Sequence, residues 1–291
     1  MPDPYLPSGR RAILSVPASD ERKIAKALAS GADEVVLDLE DAVAPGDKDR
    51  AQAVIAGYDW TAASELPLIA VRINAPRTPW CHRDLEAIAC ADIPVASVVL
   101  PKAESRADVG FAERLIDGVA PSSRLVLQAL VETARGLANL ADIVSSPERL
   151  GALILGYADL GASLGRRGDF PDSGWDVARE QVLAAGRSAD LEAVDGPWLG
   201  VDTDESFRRA VTASAARGFD AKWVIHPRQV ATVTEAFTPS QEEIARAEAT
   251  LAALEGGHAR GVGAVQLDGA LVDEAMAVAA RRVLSRAQAA S

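Results

Sequence analysis

Short runs of β-branched and aliphatic residues alternate along the chain with longer Ala-rich stretches whose apolar positions recur at helical spacing. The strand-like runs are residues 12–16, 34–39, 68–73, 97–100, 125–130, 152–155, 192–194 and 223–225. Helical patterning predicts 20–29, 48–55, 83–91, 106–118, 134–144, 175–185, 205–216 and 228–236. Ser19, Ser105 and Thr133 stand where N-caps are expected, and Gly31 and Gly118 where helices should end. The strand-like runs are nearly all apolar, with little alternation. That is the signature of a parallel sheet whose two faces are both covered by helices.

About eight such units predict an α/β fold closed as a (β/α)8 barrel of the TIM type. A doubly wound open sheet would share the local alternation. The glycine-rich turn expected there after the first strand is replaced by Val16-Pro17-Ala18-Ser19. Beyond the eighth unit, helical patterning returns at 240–255 and 273–290, with a Gly-rich stretch at 256–263 between them. The expected organisation is a barrel over residues 1–236 and a C-terminal helical extension over 237–291.

Composition narrows the partners. Lys and Arg number 30 against 42 Asp and Glu, a formal net charge of −12, and no basic block is present. A phosphate-backbone partner is therefore not expected. No apolar run approaches the roughly 18–20 residues that cross a bilayer, so no membrane span is expected. The start, Met1-Pro2-Asp3-Pro4, has no basic, apolar export pattern. Two cysteines, Cys81 and Cys90, make no disulfide framework, which fits a cytoplasmic location.

In a barrel of this kind the loops after the C-terminal strand ends form the active site. Here those ends run into Glu40 and Asp41, Arg72 and Asn74, Lys102, Glu132, Asp159, Asp195 and His226. Glu132 and Asp159 come from neighbouring strands, where two carboxylates would repel unless they share a hard cation. Oxygen donors favour magnesium, and three scattered histidines disfavour zinc. Glu40 and Asp41 suit positions around a metal's waters, although Asp41 could equally cap the next helix. Arg72 suits a substrate carboxylate or a developing enolate, or else a salt bridge to Glu40 or Asp41. Lys102 has the same options with less directionality, and His226, before Pro227, is more simply structural.

Several of these residues sit in motifs: Asp38-Leu39-Glu40-Asp41-Ala42-Val43, Val71-Arg72-Ile73-Asn74, Leu100-Pro101-Lys102-Ala103, Val131-Glu132-Thr133-Ala134-Arg135-Gly136 and Lys222-Trp223-Val224-Ile225-His226-Pro227. In order and spacing they resemble the citrate lyase β-subunit-like family, grouped with the malyl-CoA lyases among the HpcH/HpaI aldolases. The resemblance spans nearly the whole chain. It implies a magnesium-dependent lyase that cleaves or forms a carbon–carbon bond in a 3-hydroxyacyl-CoA of the malyl, citramalyl or hydroxymethylglutaryl type. It implies that Glu132 and Asp159 ligate Mg2+, that Glu40 and Asp41 surround the metal waters, and that Arg72, with Glu132, Asn74 and Lys102, contacts substrate. The segment Leu267-Asp268-Gly269-Ala270-Leu271-Val272-Asp273 resembles the family's C-terminal lid. By that likeness Asp273 serves as acid/base in a neighbouring subunit of a homo-oligomer, a trimer or hexamer.

Two other activities share the pattern: the citryl-ACP-cleaving β-subunit of a citrate lyase complex, and a metal-dependent 2-keto acid aldolase that needs no CoA. A non-catalytic binding protein is the remaining alternative. The chain departs from the family at Tyr157-Ala158-Asp159, which lacks an acidic residue before the aspartate, and at Ala221, where glycine is common. Residues 166–175 match none of these motifs and are the expected seat of substrate selectivity.

Overall fold

The computed structural model describes residues 9–61, 65–145, 148–167 and 172–289. Export pattern and selectivity segment therefore fall wholly or partly outside the described residues, at 1–8 and 168–171. By the density of its internal contacts the chain divides into two units, one holding Arg10–Thr234 and the other Glu235–Ser291.

The first unit is a closed barrel of parallel strands in sequential order. The strands are β1 (Ala12–Pro17), β2 (Glu34–Asp38), β3 (Leu68–Arg72), β4 (Val95–Leu100), β5 (Val126–Val131), β6 (Leu150–Leu155), β7 (Glu192–Asp195) and β8 (Ala221–Val224). Between them run α1 (Glu21–Leu28), α2 (Lys48–Gly57), α3 (Cys81–Cys90), α4 (Arg106–Val119), α5 (Ala134–Ala138), α6 (Leu140–Val144), α7 (Tyr157–Ser163), α8 (Asp176–Ser188) and α9 (Glu205–Arg217), and α10 (Pro227–Phe237) follows β8. Alternate strand positions fill the barrel, with Ile13, Val36, Ala70, Val99, Leu130, Ile154, Val194, Ala221 and Trp223 forming its core. The intervening residues meet the helices, which is why the strands read as continuous apolar runs.

Polar side chains plug the N-terminal end of the barrel. Glu34, Ser97 and Gln128 are fully buried. Gln128 Nε2 donates to Glu34 Oε1 at 2.7 Å and to Ser97 Oγ at 2.8 Å. Arg10 closes the network, its Nη1 on Glu34 and its Nε 3.0 Å from Glu192 Oε2. Each buried donor thus meets an acceptor, which buried polar groups require.

Local chemistry moves several predicted boundaries. Asp20, not Ser19, caps α1, accepting from the backbone N–H groups of Arg22 and Lys23. Ser105 and Thr133 cap α4 and α5 as expected. Gly118 lies inside α4, and Gly31 stands beyond the α1 cap with φ +78. The stretch 134–144 is two short helices that break at Asn139, whose side chain donates to Glu104 O at 3.0 Å. Helix α7 has no counterpart among the predicted elements, because seven residues are too few to show a period.

In the second unit, α11 (Gln241–His258) and α12 (Glu274–Ala289) flank an antiparallel hairpin, β9 (Val265–Leu267) and β10 (Ala270–Val272). Ser240 and Glu243 form a capping box at the start of α11. The hairpin turns at Asp268 and Gly269, both with positive φ, the left-handed pair that a two-residue turn demands and Asp-Gly supplies. Leu254, Val272 and Ala277 make the small core of this unit. Among the described residues no helix is long and apolar enough to cross a membrane.

Candidate active site

Asp38, Arg72 and Glu132 stand two positions beyond the interior residues Val36, Ala70 and Leu130. Strand periodicity therefore aims all three into the C-terminal mouth of the barrel. Arg72 grips Asp38 with two parallel hydrogen bonds, Nε to Oδ1 at 2.8 Å and Nη2 to Oδ2 at 2.5 Å. Asp38 also accepts from the backbone N–H of Glu40 at 2.8 Å and of Ala42 at 3.1 Å, fixing the turn that carries Glu40. From beneath, Lys48 Nζ holds the same turn through Leu39 O at 2.7 Å and Glu40 O at 2.6 Å.

Lys102 occupies the turn after β4 with φ +51. Its backbone N–H donates to Glu132 Oε1 at 3.0 Å. Its Nζ lies 2.5 Å from Glu40 Oε1, 3.2 Å from Asp159 Oδ2, 3.6 Å from Asp41 Oδ2 and 3.9 Å from Glu132 Oε1. Four carboxylates from the ends of β2, β5 and β6 thus converge on one cationic nitrogen. Arg72 stands at the edge of this cluster, with Nη1 3.2 Å from Glu40 Oε2.

Gly156 brings Glu132 and Asp159 together. A side chain there would begin 2.6 Å from Glu132 Cβ and 2.7 Å from Glu132 Oε2, so only glycine lets the entry to α7 lie against the glutamate. Asp159 follows in the first turn of α7.

The electrostatics reflect crowding. Burial, reinforced by the Glu40 charge, pushes the Glu132 carboxyl up to about 8 despite Lys102 and Arg72 nearby. Burial likewise raises Glu40, against the pull of Arg72 and Lys102. Arg72 goes up: burial alone would lower it, but Asp38 and Glu40 outweigh that. Glu40 Oε2 is buried, and beyond the ion pair with Arg72 Nη1 it accepts no hydrogen bond.

Such a donor set suits a hard divalent cation. It offers only carboxylate oxygens, one of them held by an ion pair without a hydrogen bond, one carboxyl unwilling to ionise without more positive charge, and an ammonium already seated among them. As it stands, the cluster is organised around Lys102; among the described residues no three His, Cys, Asp or Glu side chains form a ready ligand group.

Of the residues expected at the rim, Glu40, Asp41, Arg72, Lys102, Glu132 and Asp159 come together and others do not. Asn74 is buried, and both its backbone N–H and its Nδ2 donate to Asp84 Oδ2, at 2.9 and 2.7 Å. Its polar contacts tie the end of β3 to α3. Asp41 caps no helix; Asp47 precedes α2. His226 Nδ1 accepts from the Arg228 N–H at 3.2 Å, a local contact. Asp195 is fully buried and paired with Lys222 at 2.5 Å. Asp273 belongs to the second unit, where its Oδ1 caps α12 by accepting from the Ala275 N–H at 3.0 Å.

Sequence reasoning missed Asp38 as a site residue. Its signal was present: it shares strand parity with Val36, so it is an acid on the barrel-facing side.

The HpcH/HpaI aldolase/citrate lyase family profile matches residues 11–227. In a 298-residue alignment the chain is 34% identical to the L-malyl-CoA/beta-methylmalyl-CoA lyase of Cereibacter sphaeroides, covering 94% of this chain and 92% of that protein. A (3S)-malyl-CoA thioesterase of the same organism is 33% identical over 279 residues, covering 96% and 95%. Among solved structures, CitE of Mycobacterium tuberculosis in complex with magnesium, acetoacetate and coenzyme A matches at a TM-score of 0.79 and 33% identity, covering 97% of this chain and 100% of that one.

Proposed function

The chain belongs to the HpcH/HpaI aldolase/citrate lyase family, and from that premise we infer that it is a magnesium-dependent carbon–carbon lyase acting on a 3-hydroxyacyl-CoA thioester. The observation that carries this reading is the convergence of Glu40, Asp41, Glu132 and Asp159 on one cation beside the clamped Arg72. Magnesium and the CoA thioester are carried over from the ligands and names of the relatives.

Glu132 and Asp159 would hold the metal, with Glu40 and Asp41 around its waters. Bound there, Mg2+ supplies Lewis-acid stabilisation of negative charge on substrate oxygens.

Cleavage moves the hydroxyl proton of the substrate to a base and breaks the bond between the carbinol carbon and the carbon next to the thioester. The first carbon becomes a carbonyl group, and the bonding electron pair passes to the thioester enolate. That carbon then takes a proton, giving the shorter acyl-CoA. Arg72, aligned by Asp38 and paired with Glu40 through Nη1, sets its positive charge beside the oxygens where charge collects. Glu40 is suited to take the hydroxyl proton, because burial raises its carboxyl and its Oε2 accepts no hydrogen bond beyond the Arg72 ion pair. Asp273 is assigned the proton to the enolate carbon, delivered by the hairpin of the second unit. In the arrangement that fits the family's lid, that unit comes from a neighbouring copy in a homo-oligomer.

The thioesterase relative favours one second reading, hydrolysis of the same thioester. A panel of hydroxyacyl-CoA thioesters, each assayed with Mg2+ and with chelator, separates the two. A lyase releases a carbonyl product without free thiol, whereas a hydrolase releases CoA thiol and no carbonyl. Turnover that survives complete chelation would overturn the metal assignment.

A further inference from the structure

Helix α7 carries Asp159 but has little of its own to fix it. It has seven residues, its N-cap is Gly156, and no side chain caps it. Backbone contacts hold its start through Gly156 N–H to Val131 O at 3.0 Å, and Ser163 Oγ accepts from the Ala134 N–H at 2.9 Å near its end. Neither bond acts on the first turn from the outer side, where Tyr157 leaves the helix.

There the Tyr157 hydroxyl is tied into a cluster of buried charges. It donates to Asp195 Oδ1 and accepts from Arg179 Nε at 2.6 Å. Asp195, at the end of β7, takes Lys222 Nζ from β8 at 2.5 Å, and that nitrogen also donates to Gly196 O at 2.8 Å. Arg179, on α8, is held by Asp172 at 2.6 Å. Charge within the knot is matched: burial alone would raise the Asp195 carboxyl, but Lys222 and Arg179 bring it below its ordinary range. Two elements, β7 and α8, therefore meet on one phenol oxygen two residues before Asp159, and β8 backs them through Lys222 on Asp195.

Packing does not duplicate this restraint. A cavity of about 600 Å3 opens beside the knot, bordered by Tyr157, Trp175, Arg179, Trp198 and Lys222. The buried ring also packs, against Trp175 at 4.9 Å between centroids, under the Arg179 guanidinium at 5.2 Å and beside Gly196, but only its hydroxyl gives it a directional tie.

We propose that Tyr157, pinned by Asp195 and Arg179, is the positioning residue that sets Asp159 for the divalent cation. The inference rests on Asp159 being a metal ligand, as argued above. In this role Tyr157 is not a ligand; it acts through the first turn of α7. Groups that orient metal ligands from behind typically affect metal affinity by about 10–100-fold.

The test is calorimetric titration of the full chain with Mg2+ alone, independent of turnover. Tyr157→Phe keeps the ring and removes the hydroxyl, and Arg179→Lys keeps the charge and loses the Nε contact should the first variant fold poorly. Each is expected to weaken Mg2+ binding about tenfold, and the Mg2+ concentration for half-maximal turnover should rise by the same factor while kcat at saturating Mg2+ stays near wild type. Ser97→Ala, in the plug at the far end of the barrel, supplies the control for lost stability alone and should leave Mg2+ affinity unchanged. Unaltered affinity in a folded Tyr157→Phe, or an equal loss in Ser97→Ala, overturns the proposal. Asp159→Asn separates the underlying reading: if it binds Mg2+ normally, the metal assignment itself fails, whereas a loss there with none at Tyr157→Phe removes the positioning role only.

Discussion

Magnesium affinity should depend steeply on pH, and Glu132 sets the range. Its carboxyl ordinarily loses its proton near 4.5 but is pushed up to about 8 by burial and by the Glu40 charge. A cation can take this ligand only after the proton leaves. Well below 8 each pH unit adds about 1.4 kcal/mol to that cost, so binding should weaken towards tenfold per unit, about fiftyfold in all from pH 8, where half the carboxyls are already protonated, to pH 6. Close to one proton should be released per ion bound in that interval. Calorimetry in buffers of different ionisation enthalpy reads both quantities from one series. Glu132→Gln should weaken binding and flatten its pH dependence. The linked effect on stability has a definite sign. Because folding raises this pKa, its contribution favours the folded chain fully below about pH 4.5 and is lost as pH rises through about 8. Relative to Glu132→Gln, the metal-free wild type should lose Tm across that window, and saturating Mg2+ should restore it. An affinity that is level from pH 6 to pH 8, with no proton release, would refute the reasoning.

Gly156→Ala should fold less stably and bind Mg2+ at least tenfold more weakly, since the new methyl must displace Glu132; wild-type affinity in the same titration would contradict the close approach. Arg10→Met should lower stability by about 3–5 kcal/mol in urea unfolding, because it strands the Glu34 charge in the barrel plug, whereas a change under 1 kcal/mol would mean the plug is already neutral. Asp273→Asn should reduce kcat by at least a hundredfold with Mg2+ affinity intact, and an unchanged kcat would remove the hairpin unit from proton transfer.

The barrel was legible because its physics is periodic. Eight apolar runs with helices between them leave few ways to cover both faces of a parallel sheet, and the residues following those runs had to gather at one rim. Glu40, Lys102, Glu132 and Asp159 were found by that rule alone. What escaped depends on contacts between residues far apart in sequence. Asn74 follows β3 as a rim residue does, yet its backbone N–H and its Nδ2 both bond Asp84, ten positions on, a contact that no local pattern shows. Asp38 was hidden by standing inside a run read as core, and α7 by its brevity. The plug joining Arg10, Glu34, Ser97, Gln128 and Glu192 draws on five separate segments, so no local pattern announces it.

In the proposed metal site the ammonium of Lys102 would serve as a tethered placeholder. With a third of its side chain open to solvent, it can swing out of the acidic cluster on a flexible four-carbon stem while its backbone N–H keeps hold of Glu132. Loading the metal would then be an exchange of one cation for another within a preassembled mouth, requiring no strand end to reorganise. Chelated protein should keep its barrel, ready to be recharged.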